Sequence, residues 1–323
     1  MKDTILSLLQ GNVAFMSGEE ISCRLGITRA AVWKKVIALR KKGFIIEAVR
    51  SKGYRLISAP DLSQEYLMSH LPGGLWKEVL VYDSVESTNE LAMSLAAKDD
   101  IPSGTVFIAD LQTRGKGRLG RKWESPKGMN ISMSLLIRPD LRPRDATMLT
   151  VLSAVSAVSA LQKRCGIPVS IKWPNDLMTA GKKLGGILTE VRADPDRINI
   201  AVIGIGINVN MTAGDVPESL QDIATSVRQA KGEMFCRNEI IIQILRDFDY
   251  WYRILETVGR TPLLDAWRKN SSTLGRNVIA RTGETSVSGK AIDIDDDGML
   301  ILQLDSGGLT TIRAGDITLL RSI

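Results

Sequence analysis

The stretch that most constrains this chain runs from Gln112 to Trp123 and reads Gln-Thr-Arg-Gly-Lys-Gly-Arg-Leu-Gly-Arg-Lys-Trp. Gly115, Gly117 and Gly120 have the G-x-G-x-x-G spacing of a strand-turn-helix that sets a dinucleotide pyrophosphate at a helix N-terminus. The residues that follow, Glu124-Ser125-Pro126-Lys127-Gly128, break a helix. The dinucleotide-binding reading therefore fails on context, and side-chain charge has to replace the helix dipole. Five basic residues (Arg114, Lys116, Arg118, Arg121, Lys122) fall within nine positions, with no acid among them. Lys116 and Arg118 are suited to grip phosphate or carboxylate oxygens. A solvated basic loop, or a second nucleic-acid patch, is the alternative, and the loop by itself leaves both open.

Charge is unevenly placed along the 323 residues. Residues 1–60 hold eleven Lys/Arg against four acids, a balance of +7, whereas the whole chain carries +6. An isolated basic head on a near-neutral body points to a polyanion partner for the head alone. Three widely spaced cysteines, Cys23, Cys165 and Cys236, lack C-x-x-C spacing and are expected to be buried thiols in a reducing compartment. The N-terminus shows no signal-peptide pattern. The most apolar run, Ala146 to Leu161, is shorter than the ~20 residues a bilayer needs and is broken by Thr and Ser, so it is expected to be a core helix. A cytoplasmic protein without a membrane partner is the expectation.

The head, residues 3–56, reads as a winged helix-turn-helix. Ser17-Gly-Glu-Glu20 forms a capping box flanked by Met16 and Ile21 as a hydrophobic staple. The helix it starts ends near Gly26, and Thr28 caps a second helix with Val32, Val36 and Leu39 on its core face. Its other face offers Arg29, Ala30, Trp33, Lys34 and Arg40 to a major groove. Two alternating stretches around Arg50-Ser51-Lys52-Gly53 make a basic wing. The candidate DNA-contacting residues are Thr28, Arg29, Ala30, Trp33, Lys34, Arg50 and Lys52. A small helical packing module with a solvated charged face is the alternative, and the confined charge favours DNA.

After a linker at Ser58-Ala59-Pro60-Asp61, a short helix from Ser63 is expected to open a middle domain spanning residues 61–271. A strand then leads to Ser87-Thr88-Asn89, three small polar side chains just before an amphipathic helix. Strand Thr105 to Asp110 delivers the basic loop, and Met129 to Ile137 alternates as another strand. Lys172-Trp173-Pro174-Asn175-Asp176 and Lys183-Leu-Gly-Gly-Ile-Leu-Thr-Glu190 flank a tight Ala180-Gly181 turn, which is hairpin pairing. Gly204-Ile-Gly206-Ile-Asn208 places glycines inside a long apolar strand, marking close approach of another backbone or a ligand. Residues 211–227 read as a mobile polar loop, Asn238 as the cap of a long helix, and Pro262 as the first turn of another. Residues 272–323 show short strands with turns at Thr282-Gly283, Asp295 to Gly298 and Ser306 to Gly308, a small β-barrel or sandwich.

One histidine, His70, leaves no Ser-His-Asp or Cys-His pair and no zinc cluster. No P-loop spacing occurs either. The remaining set is cationic, with Lys116, Arg118, Lys172 and Lys183 beside Asn175, Asp176 and Asn208, which fits transfer of a phosphate-bearing group.

Ser87-Thr88-Asn89, Gly115 to Trp123, Lys172 to Asp176, Lys183 to Leu188 and Gly204 to Asn208, in that order, resemble the motifs of biotin protein ligases. The head resembles that of the bifunctional bacterial type, which is also the biotin operon repressor. The resemblance implies an α+β, multi-domain chain: a winged helix, a central mixed-sheet α/β domain like class II synthetase catalytic domains, and an SH3-like C-terminal barrel. It implies ATP, Mg2+ carried by that ATP, and biotin as substrate. Activation gives biotinyl-5′-AMP, and a lysine of a biotin carboxyl carrier protein then takes the biotin. Mapped by motif, Ser87, Thr88, Asn89, Gln112, Lys116, Gly117, Arg118 and Lys183 hold biotin. Gly115, Lys116, Arg118, Arg121, Trp123, Asn175, Asp176 and Asn208 serve the nucleotide, and Arg118, Lys172 and Lys183 are the catalytic cations. Operator DNA and a homodimer formed with the adenylate or DNA are the implied partners. Two departures, Lys116 where many members carry arginine and Leu119 at an often basic position, imply looser retention of the intermediate. The 211–227 segment has no aromatic, leaving Val216, Leu220 or Ile223 to cover adenine. A biotin-sensing repressor without catalysis and a lipoate ligase are the rival readings.

Overall fold

A computed structural model describes residues 4–10, 14–71, 73–98, 101–282, 285–313 and 315–320. The chain divides into two compact units, Met1–Gly73 and Gly74–Ile323.

In the first unit, helices α1 (Ile5–Gln10), α2 (Gly18–Leu25) and α3 (Arg29–Lys41) precede strands β1 (Ile45–Val49) and β2 (Gly53–Ser58) and helix α4 (Gln64–His70). Ser17 accepts from the Glu20 amide at 3.0 Å and Thr28 from the Ala31 amide at 3.2 Å, so both caps form where expected. Gly26 between them takes φ 63°, the left-handed conformation a compact turn needs. Met16 and Ile21 join Val32, Val36 and Phe44 in one core. The opposite side of α3 leaves Arg29, Ala30, Trp33 and Lys34 exposed, as are Arg50 and Lys52 at the wing. Arg40 is different. Its guanidinium donates to the Ile46 carbonyl at 2.6 and 3.0 Å, so it fastens α3 to the wing. Helix α4, expected to open the middle domain, packs on α1 and pairs Glu65 with Lys42 in this first unit.

The second unit is built on a seven-stranded sheet in the order β3-β4-β5-β9-β8-β7-β6. Its strands are β3 (Glu78–Val85), β4 (Thr105–Gln112), β5 (Asn130–Ile137), β6 (Ser170–Lys172), β7 (Asp176–Thr179), β8 (Lys182–Ala193) and β9 (Ile198–Asn208). Strand β3 runs parallel to β4 and every other pair is antiparallel, which makes the sheet mixed. Ala180 and Gly181 take φ 48° and 77°, the two-residue turn that closes the β7–β8 hairpin. Helices α5 (Thr88–Ala96) and α6 (Thr147–Cys165) lie on opposite faces of the sheet. Consecutive β8 residues show this: Asn89 of α5 reaches Glu190, while Thr150 of α6 reaches Thr189. Helix α6 is apolar and long enough to cross a membrane, yet it lies buried between the sheet and α8 (Arg237–Thr257). Short α7 (Val227–Lys231) precedes α8, and α9 (Thr261–Lys269) follows it with Pro262 in its first turn.

Strands β10 (Asn277–Thr282), β11 (Thr285–Ile294), β12 (Leu300–Leu304), β13 (Leu309–Ile312) and β14 (Asp316–Leu319) form a five-stranded antiparallel SH3-like sheet in the order β13-β12-β11-β10-β14. The expected turn at Gly283 lies outside the described residues. The Trp173 indole donates to the Gly298 carbonyl at 3.0 Å and Ser272 donates to the Ile171 carbonyl at 2.9 Å, stitching this sheet to the central one.

Three expectations are corrected. Residues 211–227 are not a wandering loop: Lys183 donates to Ile223 (2.7 Å) and accepts from Thr225 (2.9 Å), pinning the segment to the start of β8. The N-cap of α8 is Cys236, and Asn238 is buried inside the helix. Cys165 is buried but Cys23 and Cys236 are exposed, because both sit on the solvent side of helix ends.

Candidate active site

The basic loop folds back on itself. Trp123 donates to Gly115 at 2.8 Å and Gly117 to Arg121 at 2.7 Å, with Leu119 and Gly120 at the tip in left-handed conformation (φ 57° and 72°). Two of the three glycines are explained by this geometry. A Cβ on Gly115 would stand 2.4 Å from the Trp123 carbonyl, and Gly120 supplies the turn. This small hairpin forms one wall of a cavity of about 630 Å³.

Ser87, Thr88 and Asn89 form another wall. Ser87 caps α5 and Thr88 and Asn89 occupy its first turn, which brings all three side chains to the cavity. Asn89 donates through Nδ2 to the Leu188 carbonyl (3.2 Å) and Glu190 Oε2 (2.7 Å). Gln112 Oε1 accepts from the Thr88 amide at 2.9 Å and lies 3.1 Å from its hydroxyl. Behind them Ser134 Oγ, fully buried on β5, stands 2.7 Å from Thr88 Oγ1 and 2.6 Å from Asn89 Oδ1. Gly204 and Gly206 open the floor. A Cβ at Gly204 would lie 2.4 Å from Asn89 Oδ1, and at Gly206 2.7 Å from the Trp123 ring. The buried Trp123 indole nitrogen has no acceptor among the described residues.

Among the described residues, seven cations line the cavity (Lys116, Arg118, Arg121, Lys122, Lys172, Lys183, Arg281) against two acids, Asp176 and Asp316. Arg118 donates to Asn175 Oδ1 and to the Gly315 carbonyl, each at 3.1 Å, and burial lowers its guanidinium below the usual value while Asp316 and Asp176 oppose that shift. A guanidinium starts so high that it stays charged. Lys116 pairs with Glu90, whose hydrogen bond raises the ammonium. Lys183 Nζ lies 2.5 Å from Asp176 Oδ1. Lys172 makes no side-chain hydrogen bond or ion pair among the described residues. Asn175 holds its amide between Arg118 and the Ile187 carbonyl, which accepts from Nδ2 at 2.7 Å. An excess of positive charge in a partly enclosed cleft concentrates a polyphosphate or carboxylate substrate and stabilises charge that builds on it.

Of the residues picked from sequence, Ser87, Thr88, Asn89, Gln112, Lys116, Gly117, Arg118, Arg121, Trp123, Lys172, Asn175, Asp176 and Lys183 meet in this one cavity. Gly115 and Asn208 are not in its lining. Asn208 is buried behind it, donating to the Thr225 carbonyl at 3.0 Å and accepting from Asn130 at 3.2 Å. Val216, Leu220 and Ile223 are also off the lining; Val216 is buried and Ile223 faces outward. Sequence reasoning missed Arg281, Asp316, Ile317 and Thr318, which the C-terminal sheet brings to the cavity, and Ser134 behind it. The only signal for Ser134 was its place on an alternating strand, which marks a face and not a neighbour.

Fold and cavity define a class of protein in which a winged-helix head is joined to an anion-binding α/β domain capped by an SH3-like sheet. The description "Biotin/lipoate A/B protein ligase family" matches residues 81–210, "HTH domain" residues 2–55, and "Biotin protein ligase C terminal domain" residues 273–320. The chain is 43% identical to "Bifunctional ligase/repressor BirA" of Bacillus spizizenii over 98% of each chain. It is 32% identical to the protein of the same name from Escherichia coli, over 99% of this chain and 98% of that one. Among solved structures, the biotin protein ligase from Aquifex aeolicus in complex with biotin and ATP matches with a TM-score of 0.66 at 29% identity, covering 76% of this chain and all (100%) of that one. The chain belongs to the biotin protein ligase family, with the architecture of its bifunctional ligase/repressor members.

Proposed function

We infer that the protein is an ATP-dependent biotin protein ligase that also represses transcription by binding DNA through its head. The observation that carries the catalytic half is the convergence of motifs from five separate stretches on one cation-rich cavity with a polar, uncharged end. Biotin suits that shape. Its ring has urea groups for Thr88, Asn89 and Gln112, and its valerate carboxylate runs toward Lys183 and Lys116. The reaction joins the carboxylate to the α-phosphorus of ATP, breaks the bond to pyrophosphate and gives biotinyl-5′-AMP. A carrier-protein lysine amine then attacks the acyl carbon and releases AMP. In both steps, negative charge grows on phosphate or departing oxygen, and Lys183, Lys172 and Arg118 are placed to offset it. Asn175, Asp176, Arg121 and Trp123 serve the nucleotide, while Asn208 acts from behind by holding Thr225 against Lys183. No three carboxylate, histidine or cysteine side chains converge among the described residues. Magnesium belongs to this reading as the ion carried by the MgATP substrate, held by triphosphate oxygens.

The head supports the second half. Arg29, Ala30, Trp33 and Lys34 on α3, with Arg50 and Lys52 on the wing, form its exposed reading surface, and Thr28 fixes where α3 starts. Two such heads on two half-sites require a homodimer. The adenylate acts as corepressor by stabilising that dimer, so that biotin supply sets repression. The cytoplasm, with carrier protein and operator, is the compartment.

The test is to incubate the protein with biotin, MgATP and a biotin carboxyl carrier domain and to weigh the carrier. Mass gained on one lysine, with biotin-dependent exchange of labelled pyrophosphate into ATP, is the expected outcome. An unmodified carrier and no exchange would leave only a sensing role. Footprinting then checks the repressor half: operator protection should tighten when biotin and ATP are present together.

A further inference from the structure

Ser134 is fully buried, makes no part of the cavity lining, and touches two residues that do. With its neighbours it forms a chain of four oxygens: Asn89 Oδ1, Ser134 Oγ, Thr88 Oγ1 and Gln112 Oε1, at successive distances of 2.6, 2.7 and 3.1 Å. The two ends are amide carbonyl oxygens and carry no proton. Their orientation is fixed, because both Asn89 Nδ2 protons go to Leu188 and Glu190 and because Gln112 Oε1 receives the Thr88 amide. Three contacts thus share two hydroxyl protons. Whichever way the hydroxyls turn, one contact has no proton, and burial makes that deficit costly.

We propose that Ser134 is a positioning residue that makes this wall of the cavity demand an N–H donor from the ligand. A ligand N–H brought to Thr88 Oγ1 or Gln112 Oε1 lets the Thr88 proton turn inward to Ser134 and the Ser134 proton to Asn89, completing the inner contacts. A ligand carbonyl or ether oxygen in the same place competes for the same two protons and deepens the deficit. The inference rests on the biotin reading above, since a cyclic urea supplies such an N–H beside a neutral ring. Without the Ser134 hydroxyl, the Thr88 proton serves Gln112 alone, and the demand for a ligand donor goes with it.

The experiment measures binding of biotin and of its two mono-N-methylated ureido derivatives by calorimetry to the full-length protein and to Ser134→Ala and Ser134→Cys. The more strongly rejected derivative is used as the probe. In the parent protein biotin binds more tightly than the probe, and both substitutions shrink that preference by on the order of tenfold, with kcat at saturating biotin little changed. The preference is a ratio read on one preparation, so a smaller folded fraction cancels. Cysteine nearly keeps the volume of serine while offering a weak hydrogen bond. A mere packing role would leave the parent's preference intact in Ser134→Cys, and that result overturns the proposal. Binding of neither compound to the parent protein overturns the reading of the cavity, and this inference with it.

Discussion

At Gly206 a side chain would occupy the space of a ring. A Cβ there would stand 2.7 Å from the Trp123 indole, so Gly206→Ala has to push the ring out of the cavity wall. We expect kcat/KM for biotin to fall by about a hundredfold, the size of effect an ångström-scale displacement produces, with little loss of melting temperature because Trp123 is only half-buried. Steady-state kinetics beside a thermal melt checks this. Arg118→Gly removes the donors to Asn175 and Gly315. Activation should persist in part while the adenylate escapes faster, and release of intermediate at the parent's rate would refute that. Burial pushes the Cys165 thiol up to about 11, so little thiolate exists near neutrality. Cys23, exposed on α2, should label at once with a thiol reagent, and Cys165 only after unfolding.

Elements meet at a few ion pairs, and Asp145 takes part in two of them. It sits in the 3-10 turn before α6 and takes Arg260 at 2.9 Å and Arg142 at 3.2 Å, while Arg260 also reaches Asp297 beside the β11–β12 turn at 2.8 Å. Burial by itself would raise the Asp145 carboxyl, but the hydrogen bonds from Arg260 and Arg142 outweigh it and hold the group below its usual value. A depressed folded-state value means the stabilisation is present above the ordinary carboxylate range and disappears as pH falls through the folded value. Asp145→Asn should therefore cost on the order of 1 kcal/mol near neutrality, and the difference from the parent should shrink in acid. Denaturant unfolding at both pH values measures it. Element type was legible from sequence wherever a local signal was strong, as in the caps at Ser17 and Thr28 and the Ala180-Gly181 turn. It was misread where packing decided, as at Asn238, a good cap by type that lies one residue inside the helix because Cys236 already occupies the cap.

For the whole molecule, the charge imbalance has a direct consequence. A head carrying +7 in residues 1–60 against +6 for the chain confines counterion release to one end. Operator affinity should fall steeply with salt, and Lys34→Ala should reduce the slope of log affinity against log salt by about one without altering ligase turnover. An unchanged slope would mean that Lys34 does not meet a phosphate. The order of motifs and the alternation of charge and apolar residues determined the architecture, because periodicity and capping act over a few neighbours and are written in the chain directly. What tertiary structure alone decided is which distant groups share a wall. Asp316 and Arg281 arrive from the C-terminal sheet, Asn208 retreats behind the cavity, and Ser134 slips beneath Thr88. Strand pairing and register fix those meetings, and they depend on contacts between residues far apart in sequence, for which a linear pattern carries no distance.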